Sequence, residues 1–404
     1  MAAKKRSSRS SGSKKSAIGV GSVRASRSRA KKSIGVAMVG HAFMGKAHSN
    51  AYRQVGRFFD LPFEVVPRVI VGRDPERARS AAELFGFAEA SVDLAAVLAR
   101  DDIDLVDVAT PNDTHVPISM AALKAGKHVL CEKPLAMDLR EAKRLAALAK
   151  KSGKKVGLWH NYRRSPSASL AQRMIARGDI GEIRQVRAVY LQDWMSTGDT
   201  PASWRTDRKI CGSGAHGDLN AHLIDMTFFL TGLTFAEVCA TEQTFTKFRK
   251  DASGKRRTVT VDDALAFLAR FSNGAIGTFE ATRVAPGRKN YNRIEINGTK
   301  GSIAWNFERM NELEFFSFDD APDAQGYRTI MCMDAAHPYA ANWWPDGHII
   351  GYEHTFVHHL ADFLQGLGSR KVFKPNFDDG VAIQAVLDAA LESSAKHRWI
   401  NVSR

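Results

Sequence analysis

Lys133, Asp218 and His222 are the residues of this 404-residue chain whose types and spacing can move protons. Lys133 stands in Cys131-Glu132-Lys133-Pro134, after an apolar run, where the following proline holds it extended and its ammonium is expected to project over a strand edge. Asp218 follows the glycine-rich Gly212-Ser213-Gly214-Ala215-His216-Gly217 and is expected to open a helix. Offsets of four and seven then place His222 and Asp225 on the same face, with neighbouring Cβ atoms about 6 Å apart. An imidazole both accepts and returns a proton near neutral pH, and an adjacent carboxylate fixes its tautomer. Oxidation of a secondary alcohol needs such a base for the hydroxyl proton and a cation for the developing alkoxide; each proton-transfer role is worth about 10² to 10⁴ in rate.

A second cluster has the pattern of a dinucleotide site. Gly40-His41-Ala42-Phe43-Met44-Gly45 ends an apolar run and opens helical sequence, a G-x-A-x-x-G turn that lets backbone approach a pyrophosphate at a helix N-terminus. The next strand ends in Val71-Gly72-Arg73-Asp74-Pro75. A small residue followed by arginine makes room for a 2′-phosphate and favours NADP, whereas Asp74, if it faces the ribose, favours NAD; its other role is capping the helix that Pro75 starts. Thr110, Asn112, His115 and Glu132 lie at two further strand ends on the same edge and join the cofactor candidates, with Lys133.

These residues need elements that bring them together. Apolar runs at 34–39, 69–71, 105–109, 128–131 and 155–158 alternate with amphipathic helices at 75–84, 117–125 and 139–151, which predicts a doubly wound parallel sheet over about 34–155. From 156 onward period-two strands dominate, at 186–191, 264–271, 275–282, 293–296, 302–305 and 313–318, with Asn273-Gly274 as a hairpin signal. Helices are expected at 218–231, 353–367 and 378–396, so 156–404 is read as an α+β domain. The site belongs where the carboxyl ends of the parallel strands face it.

Composition narrows the class. The net charge of +15 concentrates in residues 1–33, which hold eleven Lys or Arg, ten serines and no acid; the remainder has 47 basic against 43 acidic residues. That segment is read as a disordered basic tail with no apolar core of a secretory signal, although an Arg/Ser-rich start also suits a transit peptide. Nucleic acid is therefore not an expected partner of the body. No run of 18 apolar residues is present, so no helical membrane span is expected. Cys131, Cys211, Cys239 and Cys332 form no C-x-x-C pair, in keeping with a reducing, cytoplasmic setting. His354, His358 and His359 lack zinc-ligand order, and no metal is expected.

Taken in order, the glycine turn, Thr110-Pro111-Asn112 with His115, Glu132-Lys133-Pro134, Asn161-Tyr162-Arg163 and the D-x-x-x-H of Asp218 and His222 resemble the Gfo/Idh/MocA oxidoreductase family across 34–402. Further segments, Tyr190 to Trp194, Ser203-Trp204-Arg205, Gly287 to Tyr291 and His337-Pro338-Tyr339, look closest to its levoglucosan dehydrogenase-like branch. The resemblance implies a Rossmann domain, a second domain with a large, mostly antiparallel open sheet that serves homodimers or homotetramers, and an NAD(P)-dependent oxidoreductase of a sugar or polyol. It also implies that Lys133 works with Asp218 and His222, the histidine as acid/base. Tyr162, Arg163, Asp193, Trp204, Arg288 and Asn290 are the residues expected to hold the sugar. Two other readings stay open: a glycosidase-type hydrolase that retains NAD for transient oxidation, and an NAD(P)-sensing regulatory protein. Gly72, where NAD-using members carry an acid, and His41 in the glycine turn depart from the family pattern.

Overall fold

Strands that are each followed by a crossover helix pair in parallel, and the first half of the chain obeys this rule. The computed structural model describes residues 31–403. In it β1 (Lys32–Val39), β2 (Phe63–Val71), β3 (Glu89–Ser91), β4 (Leu105–Val108), β5 (His128–Cys131) and β6 (Val156–Leu158) form a six-stranded sheet in the order β3-β2-β1-β4-β5-β6. All its pairings are parallel. Its crossovers carry α1 (Phe43–Phe58), α2 (Pro75–Phe85), the short α3 (Leu94–Leu98), α4 (His115–Lys124) and α5 (Leu139–Ser152). Strand order reverses between β1 and β4, and the crevice at that switch point is where such sheets bind ligands. The tail expected over 1–33 lies outside the described residues up to residue 30, and its last residues are not tail: Lys32 and Ser33 open β1.

The second half supplies α6 (Pro166–Arg177), β7 (Ile183–Leu191), the short α7 (Arg208–Cys211), α8 (Ala221–Thr231) and β8 (Phe235–Gln243). A small ribbon of β9 (Phe248–Lys250) and β10 (Arg256–Thr258) follows, then β11 (Ala264–Phe271), β12 (Ile276–Thr282), β13 (Tyr291–Gly298), β14 (Gly301–Asn306), β15 (Glu312–Ser317) and β16 (Arg328–Met331). After α9 (Tyr352–Leu367) and α10 (Phe377–Lys396), β17 (Ile400–Asn401) closes a nine-stranded sheet ordered β16-β15-β14-β13-β7-β12-β11-β8-β17. Only β7 with β12 pairs in parallel there. The Asn273-Gly274 turn joins β11 to β12 as expected. One face carries a core in which Phe267 stacks on Phe279 at 4.5 Å with Phe235 beside them. On the opposite face Leu268 and Ile276 remain 50% exposed.

The two sheets are not cleanly separable at residue 156. Phe356, Val357 and Leu360 of α9 return to the first half and pack with Tyr52 and Val55 of α1. Asp388 of α10 accepts the backbone N–H of Leu139 at 2.7 Å, stitching α10 to the start of α5. No described helix is long and apolar enough to cross a membrane. Beyond β6 the buried turn Asn161–Arg164 sends the Arg163 guanidinium onto both carboxylate oxygens of Asp225 in α8, with Nε at 3.0 and 2.9 Å. Both side chains are almost fully buried, so neither charge can recover water if the other is lost.

Arg163→Ala is therefore expected to cost about 3–5 kcal/mol in urea unfolding, while replacing both partners by apolar residues recovers much of that loss. Equal losses in the single and double variants would show that the pair is not the source.

Candidate active site in the cleft

The segment before α8 owes its path to a buried carboxylate. Asp262, 1% exposed, accepts the backbone N–H groups of Gly214 at 2.6 Å and His216 at 2.8 Å. A Cβ at position 214 would lie 1.8 Å from the Asp262 carbonyl oxygen, so glycine is required there. The chain then makes a π-helical turn over His216–Asn220 before α8 begins. This corrects the expectation that Asp218 opens an α-helix: Asp218 lies within the wider turn and α8 begins only at Ala221. Asp225, expected on one face with His222, is bound by Arg163.

Asp218 is instead clasped by two cations. Lys133 Nζ donates to Asp218 Oδ1 at 2.7 Å and to its backbone carbonyl at 2.9 Å. Arg283, just past β12 and 3% exposed, donates to Oδ2 at 2.9 Å. Burial opposes ionisation of Asp218, yet Lys133 and Arg283 outweigh it and hold the carboxyl far below the usual carboxylate range. His222 stacks on Tyr162 at 4.3 Å and meets His160 edge-on at 5.4 Å. Its Nδ1 is buried without a partner. Burial and the Lys133 cation hold its pKa well below the ordinary histidine range against the pull of Asp218, so the imidazole is neutral at physiological pH.

The edge that carries Lys133 is fixed from behind. Glu132 accepts the Lys133 N–H at 3.0 Å through Oε2 and holds His48 Nε2 at 3.0 Å through Oε1. His48 Nδ1 reaches Asp107 at 3.2 Å, and Asp107 also accepts Tyr52 at 2.9 Å and Trp159 at 3.0 Å. Burial disfavours the imidazolium, but Asp107 and Glu132 prevail and raise His48 to about 9. Glu132, expected to contact cofactor, is 5% exposed and holds the Lys133 backbone from behind. The two ring nitrogens of His115 face the carbonyls of Pro134 at 2.8 Å and Thr110 at 2.9 Å and tie two strand ends together.

The rest of the edge fits a dinucleotide. Gly40 has φ +96, and a Cβ there would meet the Ala109 carbonyl oxygen at 2.4 Å, so the turn stays open for a diphosphate. Ala42, the N-cap of α1, offers no side-chain cap and the first turn holds no acid, leaving the N–H groups from Phe43, Met44 and Gly45 toward an anion. At the end of β2, Gly72 and exposed Arg73 remain available, whereas Asp74 Oδ1 accepts the N–H groups of Glu76 at 3.1 Å and Arg77 at 3.0 Å as the cap of α2. Thr110 stands at the end of β4, and Asn112 donates to the Cys211 carbonyl at 3.0 Å, which links the first sheet's edge to α7.

Of the residues expected to hold sugar, two have protein partners. Arg163 is the buried partner of Asp225, and the Tyr162 ring packs against His222 at 4.3 Å and Phe307 at 4.2 Å. The Tyr162 hydroxyl instead meets that of Tyr190 at 2.9 Å, and Tyr190 donates to Asn290 at 2.7 Å. Asn290 borders an open cleft of about 490 Å³ with Phe307 and Tyr352. Asp193 is engaged by Lys289 at 2.6 Å, Arg288 lies over Tyr291 at 4.1 Å, and half-buried Trp204 carries the Arg205 guanidinium at 4.3 Å. Sequence reasoning missed Arg283, His48, Asp107 and Asp262 as site residues. Arg283 had one faint signal, an arginine immediately after a period-two strand.

The chain matches "Oxidoreductase family, NAD-binding Rossmann fold" over residues 34–160 and "GFO/IDH/MocA C-terminal domain" over 169–304. Levoglucosan dehydrogenase of Pseudarthrobacter phenanthrenivorans is 39% identical over 386 residues, covering 92% of this chain and 98% of that protein. Among solved structures, levoglucosan dehydrogenase in complex with NADH and levoglucosan has a TM-score of 0.89 at 41% identity, covering 92% of this chain and 100% of the other. An oxidoreductase domain protein from Kribbella flavida reaches 0.90 at 47% identity with the same coverages.

A folded-state pKa of about 9 for His48, above its ordinary value, makes its charge stabilising below about pH 6.5 and lost as pH rises through 9. Unfolding free energy should fall by roughly 3 kcal/mol between pH 6.5 and 9.5 and lose most of that slope in His48→Gln. The same slope in the variant would count against a charged His48.

Proposed function

Because the chain belongs to the Gfo/Idh/MocA oxidoreductase family, we propose that it is an NAD(P)-dependent dehydrogenase of a secondary hydroxyl, or the matching ketone, in a sugar, anhydrosugar or polyol. The observation that carries this reading is the Lys133 ammonium, at the dinucleotide edge, clasped on Asp218 beside a neutral His222. When bound, the nicotinamide supplies the two-electron acceptor for the carbinol hydrogen. Neutral His222 takes the hydroxyl proton, since an unprotonated imidazole nitrogen has the lone pair to accept it. Lys133 stabilises the negative charge growing on that oxygen, and Asp218, braced by Arg283, keeps the ammonium in place. Gly40 to Gly45 hold the diphosphate.

Gly72 and Arg73 support NADP at the adenosine end, since the neighbouring Asp74 is engaged as a helix cap. Asn290, Trp204, Asp193 and Arg288 remain the proposed sugar contacts. The open face of the nine-stranded sheet, with Leu268 and Ile276 exposed on adjacent strands, is read as the subunit contact of a homodimer or homotetramer.

Absorbance at 340 nm should rise when purified protein meets NAD or NADP with a panel of pyranoses, anhydrosugars and inositols. Lys133→Ala and His222→Ala should each lower kcat by about 10² to 10⁴ with little change in cofactor affinity. Cofactor binding without reduction by any panel member would sink the dehydrogenase reading.

A further inference from the structure

The adenosine end of the cleft differs from an NAD site in a way that involves two positions. Gly72 ends β2, where an acidic side chain would accept the ribose hydroxyls. The space for that side chain is taken: a Cβ built on Gly72 would lie 2.8 Å from His41 Nε2, 3.0 Å from His41 Cδ2 and 3.1 Å from Ala78 Cβ. The half-buried His41 imidazole therefore lies across the strand end, reaching it from the glycine turn. Arg73 beside it is exposed and makes no ion pair with a described residue. Asp74, the nearest acid, is turned into α2 by its two backbone hydrogen bonds.

We propose that His41 and Gly72 act as one selectivity unit for the cofactor. The imidazole fills the place of the missing acid and, with the Arg73 guanidinium, donates to the 2′-phosphate of NADP. Each residue explains the other. A side chain at 72 would displace the ring, and a ring at 41 needs glycine at 72. A guanidinium and an imidazole N–H are both suited to phosphate oxygens, and neither replaces a carboxylate as acceptor for the 2′-hydroxyl of NAD. Exchanging Gly72 for an acid is then insufficient to recruit NAD, because the new carboxylate meets His41 before it meets a ribose. The inference rests on the reading of the cleft as a dinucleotide site that prefers NADP.

The test is binding, independent of turnover: dissociation constants of NADPH and NADH from quenching of protein fluorescence, with thermal melts to confirm folding. Wild type should bind NADPH about tenfold or more tighter than NADH, and His41→Ala and Arg73→Ala should each cut that ratio by about fivefold. Gly72→Asp alone should not improve NADH binding, whereas His41→Ala with Gly72→Asp should improve it about tenfold beyond the sum of the single changes. Gly72→Ala, which adds bulk without charge, should weaken NADPH in the wild-type background and be neutral in His41→Ala. Additive effects at 41 and 72, or an unchanged ratio in His41→Ala, overturn the proposal even if NADPH is preferred. A wild type that binds NADH more tightly overturns the NADP reading and the phosphate role with it; one that binds neither overturns the dinucleotide reading itself.

Discussion

One half-buried carboxylate, Asp218, is the constraint on which the cleft depends. Its two oxygens take a cation from each half of the molecule, Lys133 from the end of β5 and Arg283 from the end of β12. An ionised carboxylate out of bulk water is tolerable only when charges of opposite sign complete its hydrogen bonds, and here both oxygens are so occupied. The arrangement fixes the distance between the parallel sheet and the mixed sheet at the one place where a substrate must meet both. His222 stays neutral because burial, and then the nearby Lys133 ammonium, oppose a positive charge on it more than Asp218 favours one.

The surrounding structure can be read as support for that clasp. Asp262 holds the backbone that presents Asp218, and the π turn after it points the carboxylate across the cleft. Glu132, gripped by His48, holds the backbone that presents Lys133. Each positioning acid lies one layer behind a residue at the cleft surface. The return of α9 onto α1 then holds the two halves against each other, and the Arg163–Asp225 pair fixes the turn that leaves β6 onto α8. Rigid support of this kind limits the motion of groups that must be in place when charge develops.

Much of this was legible from the sequence, and the failures fall into two kinds. Apolar periodicity placed most central strands and the crossover helices α2, α4 and α5, but it did not single out α6 or the nine-residue β8, and β3, β9, β10 and β17, of two or three residues each, are too short to show a period. The meeting of Lys133 with Asp218 was foreseen, although 85 residues separate them. What a linear pattern does not carry is the direction in which a polar side chain at a strand end turns. His115 turns inward to bind neighbouring strand ends, Glu132 turns to His48 of α1, and Arg163 turns to Asp225. Arg283 lies 65 residues from its partner with no motif around it. Asp74 was correctly seen as a cap because capping is local.

The measurement that tests the central claim most directly is kcat and cofactor dissociation constant for Asp218→Asn under saturating sugar. The account predicts that kcat falls by about 10² or more, since the neutral amide no longer fixes the Lys133 ammonium, while the dissociation constant stays within about twofold. Turnover close to wild type in a folded, cofactor-binding variant would contradict it.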